Sequence, residues 1–278
     1  MKSALYVAAG VVCATAVIAT LGFGPARGAS PALSEGPALT QDAVSDATGA
    51  ESATPQSRRL VALDPGHGGD EVGAAWNGVV EKHSNLDMAL RVEALLIAQG
   101  FNVLVVRRTD ERVSPDPNLP PVGGSPTRVD LQARIDMANA AGADVWVSIH
   151  SNGSSDRTQS GVEVWYDPNR AFGQQNLDLA WLLQRYILDE LWAYGYPAVD
   201  RGIKDDACFR YRNGRCFQLY VLAERANGRG TQMPGALVEA LFVSNPADNS
   251  VLADEAGRDA IARGIARAIS DFLGPPGE

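Results

Sequence analysis

The sequence lacks an excess of positive charge. It contains 24 lysine and arginine residues against 33 aspartate and glutamate residues, which gives a formal net charge of -9. Proteins that bind nucleic acids or anionic membranes rely on basic patches. The charge balance therefore argues against both kinds of partner, and a polyanionic substrate would have to be held by a local cleft.

Cysteine is also scarce, since the chain has 3 cysteines and no Cys-x-x-Cys spacing. Cys13 lies in an apolar N-terminal run, whereas Cys208 and Cys216 lie in a segment that we expect outside the cytoplasm, where disulfides persist. We predict a structural disulfide between these two, rather than a redox-active or metal-binding pair. A two-residue turn at Asn213-Gly214 would set Cys216 opposite Tyr211, so the disulfide requires a longer loop.

The N-terminus has the composition of an export signal. Lys2 precedes an apolar run from Ala4 to about Phe23, and small residues follow, with a plausible cleavage point after Gly28. The run is also long enough to span a bilayer, so residues 1–28 are predicted to be a signal peptide or an uncleaved membrane anchor. Residues 29–57 have almost no large apolar side chain and are predicted to be a disordered linker. The remaining chain, 58–276, is then an extracytoplasmic domain, secreted or periplasmic, whose only membrane association would be that anchor.

Beyond Leu60, short apolar runs alternate with helical periodicity, without an internal repeat. Strands are predicted at 60–63, 101–106, 144–149, 161–166, 219–222 and 236–243, and helices at 84–100, 129–140, 174–192 and 254–273. This alternation predicts a single α/β domain with a largely parallel, twisted sheet and helices on both faces. Ligands of such sheets bind at the carboxyl ends of the strands.

Histidine is as rare as cysteine, yet two of the 3 histidines fall at predicted strand ends. His67 lies in the motif Asp-Pro-Gly-His-Gly-Gly and His150 in Ser-Ile-His-Ser-Asn. Glu81 precedes a predicted helix, where by spacing alone it could equally be an acid favoured by the helix dipole. Hydrolytic zinc is usually held by three His or carboxylate ligands, with the fourth position left for water. We therefore predict one Zn²⁺ site, formed by His67, Glu81 and His150, and a solvated His83.

Glu239 is a carboxylate inside an otherwise apolar strand. Burying it costs several kcal/mol unless a metal, a cation or a reaction accounts for it. It could pair with an arginine, but beside a metal it would be the base that takes a proton from the attacking water. Asn152 follows His150 closely, and two roles are possible for it: substrate binding or a structural role.

Together these motifs resemble the zinc-dependent N-acetylmuramoyl-L-alanine amidases of bacterial cell walls, often called amidase type 3. The resemblance covers about residues 60–273, and the motifs around His67, Glu81, His150 and Glu239 keep the family's order. It implies that the first three are zinc ligands and that Glu239 is the catalytic glutamate. It also implies hydrolysis of the amide between N-acetylmuramic acid and the L-alanine of the stem peptide, in peptidoglycan or muropeptides.

Two departures from the family pattern affect these expectations. Family members often carry a glycine shortly after the catalytic glutamate, where this chain has Ala240-Leu241. Some relatives carry an extra helix that plugs the site until an activator displaces it, whereas here a helix follows Tyr166 within about ten residues, so we predict an open site that needs no activator. The alternatives are a non-catalytic wall-binding or regulatory protein on the same scaffold, and a zinc hydrolase that cleaves a different amide.

Overall fold

The computed structural model describes residues 59–206, 209–210, 216–224 and 229–275. The predicted signal or anchor and the predicted linker lie outside these residues, so both remain predictions, as do the exact domain bounds. The disulfide also remains a prediction, because Cys208 lies outside them and only the backbone of Cys216 is described. Within the described part of the chain, no helix has the length and apolar character needed to cross a membrane.

A six-stranded sheet lies at the centre of the domain. Its strands are β1 (Leu60–Pro65), β4 (Asn102–Val105), β5 (Val145–Asn152), β6 (Val162–Tyr166), β7 (Asp200–Asp205) and β10 (Gly235–Phe242). Their order is β4-β1-β5-β10-β6-β7; the first four are parallel, β6 is antiparallel to β10, and β7 is parallel to β6. The largely parallel sheet is thus confirmed, with two reversed strands at one edge.

Two small hairpins lie outside this sheet. One pairs β2 (Ala75–Trp76) with β3 (Val79–Val80), and the other pairs β8 (Phe209–Arg210) with β9 (Cys216–Phe217). In the second hairpin Cys216 lies opposite Arg210. This register differs from the pairing of Cys216 with Tyr211 that a two-residue turn at Asn213-Gly214 would give.

Helices cover both faces of the sheet, as the sequence predicts. They are α1 (Glu81–Ala98), α2 (Pro126–Ala141), α3 (Gly173–Tyr194), α4 (Pro246–Ala253) and α5 (Glu255–Leu273). Val61 and Leu63 pack in the core formed with α1, α3 and α5, whereas Ala62 and Trp146 pack on the α2 side. Each fully buried aliphatic side chain contributes about 1.5–3 kcal/mol. Because the central strands are covered on both faces, apolar residues are favoured at every position, which explains their continuous apolar runs.

Two predicted elements differ from the structure. Residues 219–222 form a turn rather than a strand, because the amides of Leu222 and Ala223 both donate to the carbonyl of Leu219. Helix α1 begins at Glu81 rather than at Ser84, whose hydroxyl donates to the Glu81 carbonyl inside the first turn. The sequence patterns also miss β7 and α4.

Strand β10 contains an irregularity just after Glu239. Glu239 pairs with His150 and Phe242 pairs with Asn152, so β10 has one residue more than β5 over this stretch. Leu241, fully buried, adopts a left-handed conformation with φ 73°. Such a conformation costs a residue other than glycine about 1–2 kcal/mol. The position where the chain departs from the family pattern therefore carries backbone strain.

Candidate metal and catalytic centre

The three predicted ligands converge at the carboxyl ends of β1 and β5. The ligand atoms of His67, Glu81 and His150 all lie within 4.8 Å of one another. His67 Nε2 lies 3.0 Å and His150 Nδ1 3.1 Å from Glu81 Oε1. Tetrahedral ligands with bonds of about 2.1 Å would be ~3.4 Å apart, so this donor set fits a zinc ion after small adjustments.

Glu81 is buried and held from several sides. Its Oε2 accepts a hydrogen bond from the amide of Ala74 at 2.7 Å, and its Oε1 accepts one from the amide of Ser151 at 3.2 Å. Burial opposes ionisation, but the hydrogen bonds with the two histidines outweigh it and lower the pKa of the Glu81 carboxyl. A Cβ at Gly73 would lie 2.3 Å from Glu81 Oε2, so only glycine allows this approach. Glu81 is thus a fixed carboxylate, the form that binds a cation.

Two buried arginines hold the turn at residues 65–67, which we call the His67 turn. His67 itself has φ 62°, an uncommon conformation for a residue other than glycine. The carbonyl of Pro65 accepts hydrogen bonds from Arg107 and Arg134, each at 2.8 Å. Arg107 also donates to the carbonyl of Gly66 at 2.9 Å, and Arg134 donates to that of His67 at 2.6 Å. The arginines therefore fix the backbone that carries the first histidine.

The charges of these arginines are balanced in different ways. Arg134 is paired with Asp64 at 2.8 Å and Asp130 at 3.0 Å, and these carboxylates raise the pKa of its guanidinium although burial opposes its charge. Arg107 donates to main-chain carbonyls instead, and burial and the nearby Arg134 lower its pKa to about 10. Ser148 of β5 donates to Asp64 at 2.7 Å, which connects the network to the strand that carries the second histidine.

Glu239 lies on β10, the strand next to the one that carries His150 of the ligand cluster. It pairs with His150 of β5 on one side and with Glu163 of β6 on the other. Among the described residues, its buried Oε2 has no hydrogen-bond partner. Burial raises the pKa of Glu239 well above its usual value, and repulsion from Glu81 and Glu163 adds to the effect. A carboxylate with such a pKa accepts a proton more readily than an ordinary glutamate does.

A line of polar side chains continues from Glu239 to the edge of the sheet. The Nε of Arg201 donates to the buried Glu163 at 2.7 Å. We call His150, Glu239, Glu163 and Arg201, which lie on four neighbouring strands, the polar row. The sequence analysis did not identify Glu163 or Arg201. Glu163 could have been found in the same way as Glu239, because it too is a carboxylate in an apolar strand.

Asn152 and His83 occupy less central positions. The side-chain amide of Asn152 donates to Glu163 at 3.0 Å, and its oxygen accepts from the amide of Gly153 at 2.9 Å. These bonds favour the structural reading, and its substrate-binding role remains a prediction. His83 is exposed, as expected, and its Nε2 lies 3.2 Å from Asp110, outside the ligand cluster.

The chain is similar to enzymes that cleave bacterial cell walls. The family model described as N-acetylmuramoyl-L-alanine amidase matches residues 61–271. The germination-specific N-acetylmuramoyl-L-alanine amidase of Bacillus subtilis is 28% identical over 225 residues, which cover 81% of this chain and 84% of the relative. The crystal structure of an N-acetylmuramoyl-L-alanine amidase from Clostridium difficile 630 superimposes with a TM-score of 0.59 at 27% identity, covering 78% of this chain and 97% of that one.

A further solved structure shares the fold. The CwlD amidase from Clostridioides difficile, in complex with the GerS lipoprotein, superimposes with a TM-score of 0.60. The match covers 78% of this chain and 98% of CwlD, at 24% identity. At this level of identity the likeness supports the architecture alone.

Proposed function

The chain belongs to the N-acetylmuramoyl-L-alanine amidase family, and we propose that its hydrolysis of peptidoglycan uses one zinc ion, held by His67, Glu81 and His150. The bond is the amide between N-acetylmuramic acid and the L-alanine of the stem peptide. Glu239 is the proposed catalytic base. The observation that carries the proposal is the pairing of Glu239 with His150. It sets a carboxylate oxygen that has no partner among the described residues next to three converging ligands.

Each residue has a distinct part in the proposed reaction. When bound, zinc would supply a Lewis acid that polarises the scissile carbonyl and lowers the pKa of water toward about 7. Glu239 accepts a proton from the water that attacks the carbonyl carbon, and then returns a proton to the leaving amine of L-alanine. The arginines of the His67 turn keep His67 oriented throughout.

We propose that the chain acts outside the cytoplasm and needs no activator protein. Its substrate is the cell wall, and its N-terminus has the composition of an export signal. Only residues 167–172 separate β6 from α3, which leaves no room there for an inserted helix. Hydrolysis of peptidoglycan by the purified chain alone tests whether an activator is needed.

The test is digestion of purified peptidoglycan by the full chain, with zinc and with a chelator, followed by mass spectrometry. Stem peptides with a free L-alanine amino terminus are expected only with zinc. Glu239→Gln should release them about 10²- to 10⁴-fold more slowly, whereas Glu255→Gln, which changes an exposed glutamate of α5, should match the wild type. Release by the chelated enzyme, or by Glu239→Gln at the wild-type rate, would contradict the assignment.

The same digestion separates the two alternatives. A wall-binding protein would retain zinc and sediment with sacculi without releasing peptides. A hydrolase for another amide would release fragments cut within the stem peptide. Three ligands converge beside Glu239, whose buried Oε2 has no hydrogen-bond partner in the described part of the chain. This argues for catalysis over simple binding, because binding requires no such carboxylate.

A further inference from the structure

A groove lies between α3 and the edge strand β7. It has a volume of about 390 Å³, and its lining includes Trp181 and Gln184 of α3 and Asp200 and Ile203 of β7. Arg201, between Asp200 and Gly202, reaches Glu163 in the polar row instead. Strand β7 thus separates this α3–β7 groove from the catalytic centre.

One hydrogen-bond acceptor of Gln184 is unused within the described part of the chain. Its side chain is 6% exposed, and its Nε2 donates to the carbonyl of Val162 at 2.9 Å and to Asp200 at 2.6 Å. These two acceptors fix which end of the amide is nitrogen. The other end, Oε1, is buried and has no partner among the residues that the structure describes. A buried acceptor without a donor is unfavourable, so an N–H or O–H group from a ligand would be stabilised there.

Trp181 provides an aromatic surface in the same groove. Its side chain is 50% exposed, and the guanidinium of Arg185 lies 5.3 Å from its ring centroid. Arg185 is in turn 3.8 Å from Asp189. An aromatic face surrounded by a few donors and acceptors suits a ligand that is apolar on one side and polar at its rim. Pyranose sugars have this character.

We propose that the α3–β7 groove binds an N-acetylated amino sugar of the glycan strand, with Trp181 against the sugar ring and Gln184 Oε1 accepting its amide N–H or a hydroxyl. The inference rests on the proposed function, which makes peptidoglycan the substrate. The two acidic groups and one cation of the lining nearly balance, which suits an uncharged sugar better than a polyanion. Strands are about 4.8 Å apart, so β7 is only ~10 Å from the strand of Glu239. The groove lies on the α3 face of the sheet and Glu239 on the opposite face, so a glycan strand would pass around the β7 edge to reach the catalytic centre.

The test is calorimetric titration of the zinc-loaded full chain with the tetramer of β-1,4-linked N-acetylglucosamine, which has no stem peptide. Trp181→Ala is compared with Trp192→Ala, a matched control on the same helix, whose side chain is 72% exposed and does not line the groove. The wild type and Trp192→Ala should bind alike, and Trp181→Ala should bind at least about tenfold more weakly. Absence of binding by the wild type, or equal binding by the two variants, would overturn the proposal.

A second measurement distinguishes failure of the proposed sugar site from failure of the proposed function. The ratio of stem-peptide release from intact sacculi to release from soluble muropeptides should fall in Trp181→Ala and stay unchanged in Trp192→Ala. An unchanged ratio in Trp181→Ala counts against the groove. If the wild type cleaves neither substrate yet binds the tetramer through Trp181, the proposed function fails and the sugar site stands.

Discussion

Replacing Arg134 by methionine would test whether the buried arginine holds the His67 turn. The guanidinium is fully buried and donates to the carboxylates of Asp64 and Asp130 and to the carbonyls of Pro65 and His67. Methionine fills much of the same volume but supplies no donor. Two buried carboxylates and two carbonyls would therefore each lose a partner.

The expected loss of stability is large. Removing one member of a buried ion pair costs about 3–5 kcal/mol, because the other charge stays buried without compensation. With a urea m-value of about 2.5 kcal/mol/M, the unfolding midpoint should fall by about 1–2 M. Zinc affinity should fall about 10- to 100-fold, as is typical when a group that orients a metal ligand is removed.

Urea unfolding of the zinc-free protein, followed by circular dichroism, measures the first effect, and zinc competition with a chromophoric chelator measures the second. Arg263→Met is the matched control, since Arg263 pairs with Glu190 on the surface at 2.8 Å and is 46% exposed. That change should cost less than about 1 kcal/mol. If both variants show the same small midpoint shift and unchanged zinc affinity, Arg134 does not position His67.

Three further predictions follow from the charges and strain near the site. Burial raises the folded-state pKa of Glu239, so ionising this carboxyl costs stability as pH rises through that pKa. In zinc-free thermal unfolding at neutral pH, Glu239→Gln should therefore melt at a higher temperature than the wild type. Its hydrolysis rate should fall about 10²- to 10⁴-fold. The hydrogen bond from Lys82 lowers the pKa of Asp110 to about 2. The stability of the zinc-free protein should therefore decline as pH falls from about 4 toward 2. Asp110→Asn should make that decline smaller in acid titrations followed by circular dichroism. Leu241→Gly relieves about 1–2 kcal/mol of strain but removes a buried side chain worth about 2–5 kcal/mol. Urea unfolding should therefore show a net loss of up to about 4 kcal/mol, and a gain in stability would mean that the strain dominates.

The sequence predicts the centre of the sheet better than its edge. Strands β1, β5 and β10 are buried on both faces and appear as continuous apolar runs, so their positions are evident. Strand β7 is a polar, half-exposed edge strand without an apolar pattern. The apolar residues 219–222 have the composition of a strand, yet they form a buried turn, because a short apolar run does not distinguish the two structures.

The candidate site shows the same division. His67, His150 and Glu239 could be found because their side chains are out of place at strand ends or in an apolar strand. Arg107 and Arg134 could not be found in this way, because most of their partners are main-chain carbonyls or residues distant in sequence. Such contacts leave no recognisable spacing in the sequence.

The arginines of the His67 turn also bear on which metals the centre can discriminate. Carbonyl oxygens of a tight turn are the hard ligands that calcium and magnesium prefer. Here the carbonyls of Pro65, Gly66 and His67 are already engaged by guanidinium groups, which leaves two imidazole nitrogens and one carboxylate facing an incoming cation. Such a donor set is too small and too nitrogen-rich for an alkaline-earth ion and suits a borderline transition metal. The buried arginines thereby engage the carbonyl oxygens that an alkaline-earth ion would need at this turn.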